Sequence, residues 1–171
     1  VDISLNEMIF TDITDSLRSG IIDIGFTSSK VPDKIKFTAL FNDPVRLVIP
    51  HDHPFNAYDK VPVKLLNGCN FIMPSAGYDD VYKAISDKAE IYPNIRYYIG
   101  SDSAIAGMVA NHLGISIMSE QQTRYIGNDI VCKEFVEDFH RTLGIAVNSQ
   151  YHPTPAVKAF IKAAMNCSSD F

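Results

Sequence analysis

The sequence predicts an α/β protein of two lobes. Three observations predict it. Apolar strands alternate with segments of helical period along all 171 residues, the helices start and stop on cap residues, and residues 141–147 read as a strand that returns the chain to the lobe it started in. With 46% hydrophobic and 20% charged residues, the chain can bury one sizeable core or two small ones. No apolar run approaches the roughly 20 residues of a membrane span, and no basic stretch followed by an apolar one opens the chain, so neither a membrane segment nor a secretory signal is read. A formal net charge of −5 argues against this chain gripping a phosphate backbone by itself.

The elements follow in order. Residues 1–6 alternate Val1, Ile3 and Leu5 against Asp2, Ser4 and Asn6, the pattern of a half-buried strand. Thr11 is read as the cap of a helix that runs to a glycine stop at Gly20, with Ile13 and Leu17 four apart on one face. Residues 21–26 form a β-branched strand with one odd member, Asp23, whose carboxylate is either hydrogen-bonded at a strand terminus or in water on an edge. Residues 27–33 are turn chemistry at the carboxyl end of that strand, where ligands sit in open α/β sheets. Residues 35–40 and 45–50 read as two strands separated by Asn42-Asp43-Pro44.

Residues 61–68 suggest a short helix with Pro62 near its start and Asn67-Gly68 as its stop. The first crossing between lobes is placed there, giving one lobe of residues 1–67 with 142–171 and another of residues 68–141. Residues 69–73 are a buried strand, and Pro74-Ser75-Ala76-Gly77 turns into a helix opened by Asp79 and Asp80 and packed by Val81 and Ile85. After a strand over residues 94–99, Ser101 or Asp102 caps a helix with Ile105, Met108, Val109 and His112 on one face, and Gly114 ends it. Residues 115–118 and 130–135 are further strands. Thr154 and Pro155 start the last helix, with Val157, Phe160, Ile161 and Ala164 at helical spacing.

Chemistry-bearing motifs are sparse. Cys69, Cys132 and Cys167 are widely spaced and fit a reducing cytosol better than a disulfide scaffold or zinc site, which places the chain in the cytoplasm. His51-x-His53 has no third metal ligand near it in sequence, so a turn before Pro54 is the reading and no metal is assigned. No nucleophile elbow, zinc-protease motif, phosphate loop or dinucleotide fingerprint is present, so the chain is read as no enzyme and as carrying no cofactor. Arg46, in a strand position that is otherwise apolar, forms a surface salt bridge or clamps an anion.

The order and spacing of several short segments resemble the effector-binding domain of LysR-type transcriptional regulators. These are Leu17, Gly20 and Asp23; Ile49-Pro50-x-x-His53-Pro54; Ser101-Asp102 with Met108-Val109-Ala110-x-x-Leu113-Gly114-Ile115; and Arg141-x-Leu143 with Pro155-Ala156-Val157-x-x-Phe160-Ile161. The resemblance implies a two-lobed type-2 periplasmic-binding-protein-like fold with two crossover segments, a small-molecule effector in the interlobe cleft, and a homo-oligomer. DNA would be reached only through an upstream helix-turn-helix domain that this sequence lacks. The resemblance also begins at the family's second strand. The first lobe is therefore expected to be truncated, with residues 1–6 pairing directly with 21–26 or a neighbouring chain filling the gap.

Within that frame the ligand contacts expected are Thr27 and Ser28 from the first lobe, Ser75, Gly77 and Ser101 from the second, and Met8 and Phe10 as an apolar wall. Met8 and Phe10 depart from the family, which has a small polar corner there. Helix N-termini behind Ser75 and Ser101 favour a carboxylate or similar anion, although each hydroxyl serves equally as a cap or turn bond. A solute-binding protein of a transport system shares the architecture and is the alternative function.

Overall fold

The computed structural model describes residues 2–28, 31–74 and 79–167. The chain divides into two compact units, residues 1–42 with 142–171 and residues 43–141. The first crossing therefore falls at Asn42/Asp43, well before the position near residue 68 that the sequence suggested. The cause is that Asn42-Asp43-Pro44 is no turn: β2 (Ile35–Pro50) runs straight through it as one strand of 16 residues. The Asp43 carboxylate and the Val45 N–H find partners in Arg141 and in the Phe139 carbonyl, so the polar triplet is satisfied without reversing the chain.

In the first unit, α1 (Phe10–Ser19) ends as expected at Gly20, whose φ of 71° is the left-handed conformation that glycine adopts freely. Its start differs. Ile9 is the N-cap and offers no side-chain bond, so Thr11 lies inside the first turn. β1 (Gly25–Ser28) pairs antiparallel with β8 (His140–Asn148), Gly25 opposite Ala146 through Ser28 opposite Leu143. Leu17, Ile35 and Ala146 form the small core, with Ile13, Ile22 and Val31 against it. Asn148 fastens the two ends of this unit, donating from Nδ2 to the carbonyls of Leu17 and Arg18 at 3.0 and 3.3 Å. α5 (Pro155–Cys167) carries the expected Thr154 cap, its Oγ1 accepting the Val157 N–H.

Two strand expectations fail in this unit. Residues 2–9 form no strand, and Ile3 and Leu5 are 70% and 89% exposed. Alternation fits a strand only where a neighbouring strand supplies bonds, and β1 takes its bonds from β8. Direct pairing of residues 1–6 with 21–26 is thereby excluded for the described residues. Residues 21–24 likewise precede β1, and Asp23 stands exposed, which settles its two readings in favour of water.

The second unit is built on a sheet in which β2 pairs antiparallel with β6 (Ser116–Ser119) on one side and β7 (Ile130–Phe135) on the other. A two-residue strand β3 (Lys60–Val61) runs parallel to β7, and β4 (Asn70–Pro74) runs parallel to β5 (Asn94–Ile99). Period-two alternation sorts the apolar side chains onto two faces. Val45, Leu47, Ile49, Phe71, Met73, Ile115 and Ile117 pack with Ile85 of α2 (Asp79–Ala89), whereas Val48, Ile72 and Met118 pack with Ile105 and Val109 of α3 (Asp102–Ala110). Gly114 does not cap α3, which ends at Ala110 with His112 taking the positive φ of 61°. It lies against β4 instead. A Cβ there would stand 2.8 Å from the Asn70 carbonyl oxygen.

The histidine pair serves this unit's loops. His51 Nε2 meets the Asn128 carbonyl at 2.6 Å, and His53 Nδ1 accepts the Phe55 N–H as the cap of a 3-10 helix over Pro54–Ala57. Among the described residues no group of three or more His, Cys, Asp or Glu could hold a metal ion, and no helix is long and apolar enough to cross a membrane. Burial pushes the His53 pKa below its ordinary 6.5, Asp52 opposing and His112 assisting. As pH falls, the unfolded chain takes up this proton before the folded one, so stability is greatest above 6.5 and declines below it. Urea midpoints at pH 7.5 and 5.5 measure the decline, and His53→Asn, which keeps a cap acceptor, should flatten it.

Candidate functional site

The expected ligand residues fall in both units. Thr27 is buried on β1 opposite Gly144, and Ser28 beside it is half-buried opposite Leu143. Met8 is half-buried and lies near α1, Ser16 Oγ standing 3.9 Å from its sulfur. Phe10 is the first residue of α1, but its side chain lies outside the described residues, as do Ser75 and Gly77 entirely.

Ser101 is the N-cap of α3, settling the choice between it and Asp102. Its Oγ accepts the Ala104 N–H at 3.4 Å and lies 3.0 Å from Ser103 Oγ. The hydroxyl is exposed, so it can cap the helix and still meet a solute.

Asp102, the next residue, is what the sequence undervalued. Its Oδ2 accepts Gln122 Nε2 at 2.8 Å, and burial pushes its pKa up, opposed by the Arg141 charge and by that hydrogen bond. Gln122 belongs to the short helix α4 (Glu120–Thr123) and is held by a capping box: Ser119 Oγ accepts its N–H, and its Oε1 accepts the Ser119 N–H. A groove of about 440 Å³ runs beside α3 past Asp102, Ser103, Gly107, Gln122, Tyr125 and Asp129. Two carboxylates on its wall suit this groove to hydroxyl and amine donors, and Ser101 is not among the residues that line it.

Two further charges are accounted for. Arg46 bonds Glu120 Oε1 at 2.9 Å and lies 3.7 Å from Glu134, which Lys60 also holds. Of its two readings the salt bridge is the one formed. Arg141 Nη2 bonds Asp43 Oδ2 at 2.9 Å, with the Asp43 side chain fully buried. The sequence offered a signal for this pair in an Asp-Pro inside a β run and an arginine opening another, but 98 residues separate them and nothing local joins them.

The chain is 29% identical over 115 residues to YybE of Bacillus subtilis, an uncharacterized HTH-type transcriptional regulator, covering 63% of this chain and 38% of that one. To the HTH-type transcriptional regulator MetR of Escherichia coli it is 25% identical over 175 residues, covering 99% of this chain and 55% of that one. It thus spans about half the length, or less, of these relatives.

Solved structures share the fold. The Synechocystis CcmR regulatory domain in complex with 2-PG superposes with a TM-score of 0.88 at 18% identity, covering 99% of this chain and 85% of that one. The effector-binding domain of QuiR in complex with shikimate gives 0.84 at 22%, over 95% and 79%. The BenM effector-binding domain with its effector benzoate gives 0.84 at 21%, over 96% and 77%. The family model described as "LysR substrate binding domain" matches residues 1–166, and by that match the chain belongs to the LysR substrate-binding domain family.

Proposed function

We propose that this chain senses a small-molecule effector for a bacterial LysR-type transcriptional regulator, acting in the cytoplasm as part of a homo-oligomer that meets DNA through a separate helix-turn-helix domain. The observation that carries the reading is the family match over residues 1–166, joined by relatives that are themselves transcriptional regulators. The same match disfavours the transport-type solute-binding alternative. The reading assigns the chain no reaction.

In this proposal Ser101, the N-cap of α3, is the principal contact, because its exposed hydroxyl sits at the positive end of that helix. Thr27 and Ser28 supply further hydroxyls, with Ser75 and Gly77 as additional contacts and Met8 and Phe10 as apolar wall. A carboxylic acid is the favoured effector class: shikimate and benzoate, found in two proteins of the same fold, both carry that group. An effector acts by binding one conformation of the domain more tightly than another, and only that difference in affinity can be read by the rest of a regulator.

A thermal-shift screen of small carboxylic acids tests the reading. A ligand at a hundred times its dissociation constant stabilises by about 2.7 kcal/mol. Ser101→Ala should weaken the best binder about tenfold, the loss of one hydrogen bond to a charged group. Full affinity in that variant removes Ser101 from the site, and a screen in which no acid raises the melting temperature counts against the acid class.

A further inference from the structure

The chain enters the second unit on β2 at Asp43 and leaves it on β8 at Arg141, and these two residues are bonded to each other. Asp43 Oδ1, the oxygen that Arg141 does not take, accepts the Gln121 N–H of α4 at 3.3 Å. The neighbouring Gln122 reaches from α4 to the Asp102 carboxylate in the first turn of α3. A continuous run of polar contacts therefore leads from the chain's entry and exit points, through α4, to the turn that presents the Ser101 hydroxyl.

The run is stiff at each end for a physical reason. Asp43 is fully buried and Arg141 partly so, and a desolvated carboxylate cannot release its guanidinium without a large loss. At the other end the capping box leaves Gln122 little rotamer freedom, because both ends of its amide group and its own N–H are engaged. Networks of this kind in a low-dielectric setting strengthen one another and hold the elements they join rigid.

We propose that Arg141 is a positioning residue for the effector site: through Asp43, α4 and Gln122 it sets the first turn of α3, so that occupancy at Ser101 is felt where the chain enters and leaves the second unit. The proposal rests on the preceding reading of Ser101 as an effector contact. The Arg141 charge acting on the Asp102 carboxyl is consistent with it.

Amide hydrogen exchange tests the coupling without any ligand. The Ala104 amide, bonded to Ser101 Oγ, reports on the α3 turn. The Val45 amide, bonded to the Phe139 carbonyl, reports on the crossing strands, and the Ile72 amide, bonded to the Ile115 carbonyl, reports on opening of the whole unit. Arg141→Lys should speed exchange at Ala104, and Gln122→Met should speed it at Val45, each by about two- to thirtyfold relative to Ile72. Asp102→Ala, which removes the acceptor of Gln122 Nε2 at a half-exposed position, should act on Val45 as Gln122→Met does. Effects that stay at the substituted end, or that change Ile72 by the same factor, overturn the proposal. Benzoate titrated into wild type and Ser101→Ala separates the two ideas: equal affinity there defeats the effector reading, while the exchange ratios still decide the coupling.

Discussion

Gly144→Ala is expected to unfold the first unit, with a loss exceeding the roughly 1–3 kcal/mol of ordinary overpacking. Gly144 lies on β8 opposite Thr27, and a Cβ built on it would collide with the Thr38 carbonyl oxygen, come within 2.7 Å of Phe37 Cζ and touch Ala39 Cα at 3.0 Å. Two of the three obstacles are the backbone of β2, which cannot rotate aside as a side chain can. Since whole domains are stable by only about 5–15 kcal/mol, circular dichroism in urea should show a much lower midpoint or no folded baseline. Gly107→Ala is the matched control. Its Cβ would stand in open space inside α3, so the midpoint should hold or rise, by up to about 1 kcal/mol of helix propensity. Equal losses in both variants would show that the close approach at Gly144 is misplaced.

Arg141→Ala should cost about 3–5 kcal/mol, because it strands a fully buried carboxylate. Replacing both partners, as in Asp43→Asn with Arg141→Met, removes the charges together and should recover most of that loss, which a double-mutant cycle in urea reads directly. Added salt should change neither result much, since the pair is screened from solvent. The contrast is the Arg46–Glu120 pair, where Glu120 is partly in water and the contribution is expected near the 0–1 kcal/mol of surface bridges. A single variant no more harmful than the double would mean that the pair is not isolated from water as the structure has it.

Sequence pattern was a good guide where one local rule decided the element. The strands over Asn94–Ile99 and Ile130–Phe135 have the bounds that their β-branched and aromatic runs suggest, and Ser101 caps α3 because its hydroxyl, extended backbone and following helix are all local properties. The pattern misled where a partner distant in the chain decided. Residues 2–6 alternate well and still form no strand, since alternation says which face is apolar but not whether a neighbour exists. Asn42-Asp43-Pro44 has the composition of a turn and continues as a strand because Arg141 and Phe139 satisfy it. The candidate site divides the same way: the α3 cap was legible, whereas the Asp43–Arg141 pair and the Gln122–Asp102 bond depend on folding.

The division of the chain also fixes an order of events on the ribosome. The second unit is one continuous stretch, so residues 43–141 can close their core as soon as they emerge. The first unit cannot. Leu17 waits for Ala146, and β1 waits for its sole described neighbour on β8, until more than a hundred further residues have been made. During that interval α1 and β1 offer unburied apolar surface and unpaired strand edges to anything nearby, which makes the early chain the natural client of a chaperone. Closure of the first unit thus comes after synthesis of the second, and Asn148 bonding back to the end of α1 is one of the contacts that then form.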